Sequence, residues 1–244
     1  MIDTENARTK NVRAFFVSMV ENFTFLCYNN LIRNTISILK RSIFMAHIKW
    51  VGIIKTEIAE YQKGHLDSKA MKMELPATMK AMMIKALPFV IVPFVIIFLS
   101  LFIKTFFAGQ VIISPVFFII GFVASFMGLI AHEWLHAVLY PKEATVYIGI
   151  YPKSFAAVAL ASYPLKKWRF ILMSLLPLAL GILPIVLFWI SPIEWKAWNS
   201  FCFGFSIMGL ISPYPDCYNV YQVLKQTPSR CYIQNYGDDT YWIK

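Results

Sequence analysis

The stretch VIISPVFFIIGFVASFMGLIAHEWLHAV, residues 111–138, joins a long apolar run to a cluster of ionisable residues. Its first 21 residues carry no charge, and a helix needs about 20 apolar residues to cross the hydrocarbon core of a bilayer. Three ionisable side chains follow directly: His132, Glu133 and His136. Such groups are costly in an apolar segment and commonly mark a functional site. The stretch therefore predicts a transmembrane helix with a functional site at one end.

The bulk composition also indicates a membrane protein. Hydrophobic residues make up 58% of the 244 residues and charged residues 15%, whereas roughly a quarter of a soluble domain is charged. The net charge of +10 comes from basic residues that flank apolar runs, a placement typical of contact with anionic lipid headgroups. The sequence therefore predicts the lipid bilayer as a partner and argues against nucleic acid.

Four apolar runs predict the membrane topology: residues 86–103, 111–131, 170–190 and 197–212. The fourth run is short, and we expect neighbouring helices to shield part of it. The fold predicted is an all-α integral membrane protein with about four transmembrane helices. The positive-inside rule places both termini and the basic loop, residues 140–169, in the cytoplasm, with the plasma membrane as the expected location. The HEWLH motif then lies at the cytoplasmic end of the second helix.

The chain divides into a basic extension and a membrane-embedded domain. Residues 1–85 contain 13 of the 23 Lys and Arg residues. Apolar positions between Phe16 and Leu39 recur at roughly helical spacing, which indicates amphipathic helices on the membrane surface or a helical extension packed on the body. A span near residues 14–32 is a weaker alternative. The remainder forms the predicted membrane domain, residues 86–244.

Short β-structure is expected beside the helices. Two β-branched or aromatic runs flank PKS within the basic loop, residues 140–169, and predict a hairpin. In the C-terminal tail, RCYIQNY and TYWI flank GDD and predict another. Between the fourth apolar run and the tail, a helix is predicted to begin near Asp216 and end before Pro228.

The HEWLH motif has the spacing of a metal site. Residues at i and i+4 lie one turn apart on the same helix face, so His132 and His136 can bind one metal ion. Zn²⁺ lowers the pKa of a bound water to about 7 and polarises a carbonyl group. Glu133 projects beside such an ion, where it can accept a proton from that water. The motif therefore predicts zinc with Glu133 as a general base.

A catalytic zinc usually has three protein ligands. Asp216 is the preferred third candidate because it follows the fourth apolar run, on the same predicted side of the membrane as the histidine pair. The alternative role for Asp216 is a helix N-cap. Cys217 is a possible substitute ligand, and His47 and His65 are more distant candidates in the basic extension.

Longer motifs carry a family resemblance. They are HEWLHAV, YPLKKWRFILMSLLPL leading into the third apolar run, SPYPDCYNVYQVLKQ after the fourth, and YGDDTYWI near the end. With these motifs the chain resembles the putative zincin peptidase family of small multi-pass membrane proteins, and its plan is similar to that of site-2 proteases. The likeness covers about residues 71–244, so residues 1–70 look like an extension.

The resemblance implies that His132, His136 and Asp216 hold zinc and that Glu133 is the general base. Site-2 proteases generally have glycine after the aspartate, where this chain has Cys217. The function implied is a membrane zinc metallopeptidase that cleaves a membrane protein or peptide within or beside the bilayer. The alternative is a non-catalytic metal-binding membrane protein, either a scaffold or a metal transporter. The oligomeric state is not indicated.

Two further hypotheses concern the substrate. The hairpin predicted at residues 144–161 could hold a peptide as an added strand. Asn219 and nearby tyrosines are candidates for stabilising the oxyanion that forms during hydrolysis.

Overall fold

The computed structural model describes residues 46–55, 57–152 and 156–244. They lie within one compact unit, Met45–Lys244. The α-helices in these ranges are α1 (Met79–Ala86), α2 (Ile91–Ala108), α3 (Pro115–Val138), α4 (Lys167–Leu175), α5 (Ala179–Ile190), α6 (Lys196–Ile211) and α7 (Tyr214–Gln226). The helices predicted between Phe16 and Leu39, and the alternative span at residues 14–32, lie outside the described residues.

Within the described ranges, three helical stretches are long and apolar enough to cross a membrane: Met79–Ala108, Pro115–Val138 and Lys167–Ile190. The first runs through α1 and α2, and the third through α4 and α5, each with a 3-10 turn between its two helices. The first three predicted spans overlap these stretches, which is consistent with a membrane protein. Because α3 continues to Val138, beyond the predicted end at residue 131, the HEWLH motif lies in its last two turns.

Helix α6 is shorter than these stretches and is packed against α3 and α5. Its 16 residues extend about 24 Å at 1.5 Å per residue. Glycines permit backbone contact on both sides: a Cβ atom at Gly121 of α3 would collide with the Phe201 carbonyl oxygen, and one at Gly181 of α5 with the Leu210 nitrogen. Neighbouring helices therefore shield α6, as expected. The fourth crossing stays a prediction.

Two sheets accompany the helices in the described ranges. Their strands are β1 (His47–Ile53), β2 (Met71–Lys72), β3 (Thr145–Tyr151), β4 (Ala156–Leu160), β5 (Leu165–Lys166), β6 (Tyr232–Tyr236) and β7 (Asp239–Ile243). One sheet has the order β1–β3–β4, with β1 parallel and β4 antiparallel to β3. The other is antiparallel, in the order β2–β7–β6–β5. Both predicted hairpins, β3–β4 and β6–β7, are confirmed, as is the predicted helix, which is α7.

The expectation of an all-α fold needs correction, because the structure is mostly helical with two sheets. Strands β1, β2 and β5 were not predicted. In β1, His47 pairs with Thr145, so this strand depends on a contact between distant parts of the chain. Strands β2 and β5 have two residues each, too few to show the period-two pattern by which strands are recognised.

A shared core joins the sheets to the helices around the HEWLH motif. Val146 and Ile148 of β3, Ile233 of β6 and Ala137 of α3 are completely buried, and Phe170 of α4 packs in the same cluster. Because close-packed interiors resist displacement, this core fixes the C-terminal end of α3 relative to both sheets.

Candidate metal centre

The two histidines of the motif face each other on one side of α3. Both are buried, with 7% of His132 and 8% of His136 exposed. Their Nε2 atoms are 3.0 Å apart. The i, i+4 spacing produces this arrangement because it brings side chains one turn apart onto the same helix face.

Asp216 reaches the histidine pair from the first turn of α7. Its Oδ2 atom is 3.2 Å from His132 Nε2, and its Oδ1 atom is 3.5 Å from His136 Nε2. Helix α7 begins at Tyr214, with Pro213 in the N-cap position. The alternative prediction that Asp216 is the N-cap is therefore wrong, and its carboxylate is turned toward α3 instead.

Glu133 lies at the side of this group. Its Oε1 atom is 3.9 Å from His132 Nε2, and the potential ligand atoms of His132, Glu133 and His136 all lie within 4.8 Å of one another. The backbone N–H of Ala159, in β4, donates a hydrogen bond to the Glu133 carboxylate. Glu133 thus connects the histidine pair to the edge of the three-stranded sheet.

The surroundings keep Asp216 ionised. Burial by itself raises the pKa of Asp216, but the adjacent imidazoles of His136 and His132 lower it by more, to about 2. Asp216 is therefore a carboxylate at neutral pH. Since carboxylate oxygen and imidazole nitrogen both bind zinc, the charge state suits metal binding.

Helix α4 contacts both helices that contribute to the group. Arg169 Nε donates to the Leu139 carbonyl oxygen at the end of α3, at 2.5 Å. Lys167 Nζ donates to the Thr227 carbonyl oxygen at the end of α7, at 2.8 Å. Each cation lies at a helix C-terminus, where the helix dipole favours positive charge. Helix α4 therefore fixes the ends of α3 and α7 relative to each other.

A third bond from α4 orients one histidine directly. His136 Nδ1 is 2.9 Å from the Met173 carbonyl oxygen. A carbonyl oxygen can only accept, so Nδ1 is the donor and Nε2 is the ring nitrogen left for a metal. Metal-binding histidines commonly make such a bond through the other nitrogen, which fixes the ring orientation.

The donor set fits a zinc ion. Zinc binds histidine nitrogen at about 2.0–2.1 Å and carboxylate oxygen at about 2.0–2.2 Å, so tetrahedral geometry separates ligand atoms by about 3.3 Å. The separations here are 3.0 Å between the two Nε2 atoms and 3.2 and 3.5 Å from these atoms to Asp216. His132, His136 and Asp216 therefore have the chemistry and spacing to hold the ion.

The other predicted candidates are not in this group. Among the described residues, the cluster formed by His132, Glu133 and His136 includes none of His47, His65 and Cys217. Asp216 is also outside that cluster as defined, but its carboxylate oxygens lie 3.2 and 3.5 Å from the two Nε2 atoms. His47 lies in β1 and is exposed. Burial and the nearby Asp216 carboxylate raise the pKa of Cys217, which favours the thiol over the metal-binding thiolate.

Two contacts to this group, those from Met173 and Ala159, were not predicted. Both are made by backbone atoms, which side-chain motifs do not reveal. One sequence signal for the first was available, because Pro177 follows Met173 by one helical turn.

Comparison with protein families agrees with the geometry. Residues 125–232 match the model of a family described as "Putative zincin peptidase". The matched region contains the HEWLH motif, α4 and Asp216, and it confirms the resemblance to this family over these residues. The motif YGDDTYWI lies outside the match, and the similarity to site-2 proteases stays a prediction. Comparisons with curated proteins and with solved structures found no match.

Proposed function

We propose that this chain is a membrane zinc metallopeptidase, which hydrolyses peptide bonds of a membrane protein or peptide within or beside the bilayer. One observation carries the proposal: Asp216, from α7, meets His132 and His136, from α3, at 3.2 and 3.5 Å, with Glu133 beside them. Two histidines, one carboxylate ligand and a further glutamate form the set that a hydrolytic zinc site needs.

Each residue has a defined task in this proposal. His132, His136 and Asp216 hold the ion, which, when bound, lowers the pKa of a water to about 7 and polarises the substrate carbonyl. Glu133 accepts the proton from the attacking water and later delivers it to the leaving amine. The 3.9 Å separation between Glu133 Oε1 and His132 Nε2 supports this role, because it leaves Glu133 beside the ion and outside the proposed ligand set.

Strand β4 supplies an edge where a substrate could bind. It is an outer strand of its sheet, and the Ala159 N–H points to Glu133, away from β3. A peptide added along this edge would bring its backbone next to Glu133. Strand addition supplies main-chain hydrogen bonds to any extended sequence, which suits a peptidase whose substrate must unwind before it is cut.

A fourth membrane crossing by α6 is part of the proposal. Near its start, the Ser200 hydroxyl accepts a hydrogen bond from the Ser114 N–H at 2.7 Å, just before α3 begins. Beyond its end, Asp216 meets His132, in the last turns of α3. Helix α6 thus runs parallel to α3, with Gly121 against Phe201 near their starts and Gly128 against Phe205 further along. The basic loop, residues 140–169, supports placing the end that carries Asp216 and His132 on the cytoplasmic side of the plasma membrane. The same rule places both termini on that side.

Metal content tests the proposal. Purified full-length protein should contain about one zinc per chain, and His132→Ala should lose it. Glu133→Gln should keep the metal, because Glu133 is not a proposed ligand, but should stop hydrolysis. A wild-type protein that binds no zinc would contradict the proposal.

A further inference from the structure

The junction between α4 and α5 has an unusual hydrogen-bond pattern. Helix α4 ends at Leu175 and continues as a 3-10 turn, Leu176–Leu178, in which Pro177 is completely buried. In an α-helix, the N–H of residue i+4 donates to the carbonyl of residue i. For Met173 that residue is Pro177, which has no N–H.

The neighbouring donor is engaged elsewhere. The Leu176 N–H donates to the Leu172 carbonyl oxygen. The Met173 carbonyl therefore lacks its usual helical donor and accepts from His136 Nδ1, at 2.9 Å. A buried carbonyl without a hydrogen-bond partner is unfavourable, and the bond to His136 Nδ1 supplies that partner.

We propose that Pro177 is a positioning residue for the metal centre. By removing a competing N–H from α4, it reserves the Met173 carbonyl for His136, and this bond turns His136 Nε2 toward His132 and Asp216. The inference rests on the proposed function for the identity of the metal. The state of the His136 ring is a property of the chain itself and can be measured without metal.

The chain contains a matched control in Pro184. It lies inside α5, in the same predicted span as Pro177, and it likewise deprives a carbonyl of its helical donor, that of Leu180. This carbonyl lies against Gly209 of α6, which is not part of the candidate metal centre. Pro184→Ala therefore measures what the loss of an intramembrane proline does by itself.

Zinc affinity is the first readout. Pro177→Ala introduces an N–H that competes with His136 for the Met173 carbonyl. We expect about 10–100-fold weaker zinc binding in a chelator competition with the purified full-length protein, the usual effect of losing an orienting bond. Pro184→Ala should bind zinc as the wild type does. Equal losses in both variants would overturn the proposal, since helix straightening alone would explain them.

The His136 ring gives a second readout that a purely structural role for Pro177 would not affect. The chain has four histidines, so ¹⁵N-histidine labelling gives few signals, and His136→Gln assigns the one of interest. In metal-free wild type, His136 should show an Nδ1–H that is protected from exchange with water. Pro177→Ala should lose this protection and Pro184→Ala should keep it. A wild-type Nδ1 without a protected proton would overturn the proposal even if Pro177→Ala fails to fold.

A backbone ester at position 177 separates the two effects of proline, which are its missing N–H and its rigid ring. Lactic acid at position 177, introduced by nonsense suppression, has neither a ring nor an N–H. It should restore wild-type zinc affinity and Nδ1–H protection, because only the N–H competes for Met173. If the ester variant binds zinc as weakly as Pro177→Ala does, the proline ring and not the missing N–H positions His136, and the proposal is overturned. Lack of zinc binding by the wild type would contradict the proposed function, whereas the ring measurement would still decide the role of Pro177.

Discussion

The Oδ2 atom of Asp216 lies 3.2 Å from the Nε2 atom of His132, although the two residues come from different helices. This pair joins the start of α7 to the end of α3. The HEWLH motif by itself provides two ligands, and the position of Asp216 turns a local pattern into a three-residue donor set.

Removing the Asp216 carboxylate should therefore abolish zinc binding. We expect Asp216→Ala to lower zinc affinity by at least 100-fold, because a ligand is lost and the buried histidine pair loses its counter-charge. Asp238→Ala is the control, since Asp238 is exposed in the β6–β7 turn. Chelator competition measures both. Unchanged affinity in Asp216→Ala would exclude Asp216 as a ligand, and Cys217→Ala would then be the next variant to measure.

We expect replacement of Asn219 to slow hydrolysis without lowering the stability of the protein. Its Oδ1 atom is the buried side-chain oxygen without a hydrogen-bond partner in the part of the chain that the structure describes, and it lies one turn after Asp216 on the same face of α7. Asn219→Ala removes an unsatisfied group, so we expect equal or higher thermal stability and unchanged zinc content. If this amide contacts the substrate, the rate of hydrolysis should fall by about 100-fold.

Stability and turnover must be compared in the same preparation of Asn219→Ala. Loss of stability would show that Asn219 has a structural partner. Wild-type turnover would remove it from the reaction.

Lys167 should stabilise the end of α7. Its Nζ atom donates to the carbonyl oxygens of Thr227 and Pro228, at 2.8 and 3.3 Å. Lys167→Met leaves these acceptors without their charged donor, and we expect a loss of about 1–2 kcal/mol in the free energy of unfolding. The adjacent Lys166 is exposed, and Lys166→Met should change stability by less than about 0.5 kcal/mol. Thermal unfolding in detergent compares the two variants. Equal losses of stability would show that the bonds from Lys167 do not stabilise the C-terminal end of α7.

Lys104 should stabilise the opposite end of the helical bundle. Its Nζ atom donates to Asn199 Oδ1 at 2.6 Å, to the Ser191 carbonyl oxygen at 2.9 Å and to the Phe188 carbonyl oxygen. Lys104→Met should cost about 2–3 kcal/mol and leave zinc affinity unchanged. Exposed Lys196 offers the matched variant Lys196→Met, which should have little effect. A loss of zinc binding in Lys104→Met would show that the two ends of the bundle are coupled.

Local patterns predicted the elements of this fold better than their contacts. The apolar runs indicated the three long helical stretches, because length and hydropathy alone determine which helices can span a bilayer. The hairpins and α7 could also be predicted from the sequence, since turn residues and helix ends leave local signals. The position of His132 relative to His136 also followed from helix geometry.

The remaining features depend on tertiary contacts. The parallel pairing of His47 with Thr145 requires two distant segments of the chain to meet. The sequence of each segment alone does not indicate its pairing partner. The shielding of α6 depends on where Gly121 and Gly181 lie on neighbouring helices. The bond from His136 to the Met173 carbonyl involves the backbone, and only the proline at position 177 hints at it. Sequence motifs identified the proposed ligands but not the groups that orient them.

The proposed function requires that the site hydrolyses peptide bonds with Glu133 as general base. The most direct measurement is quantitative proteomics of membranes from cells that express the wild type or Glu133→Gln at equal levels, with zinc content measured in both purified proteins. We predict about one zinc per chain in both, and membrane-protein precursors that accumulate intact only with Glu133→Gln while their fragments appear with the wild type. Identical fragment profiles from two zinc-loaded proteins would contradict the claim and favour the non-catalytic metal-binding alternative.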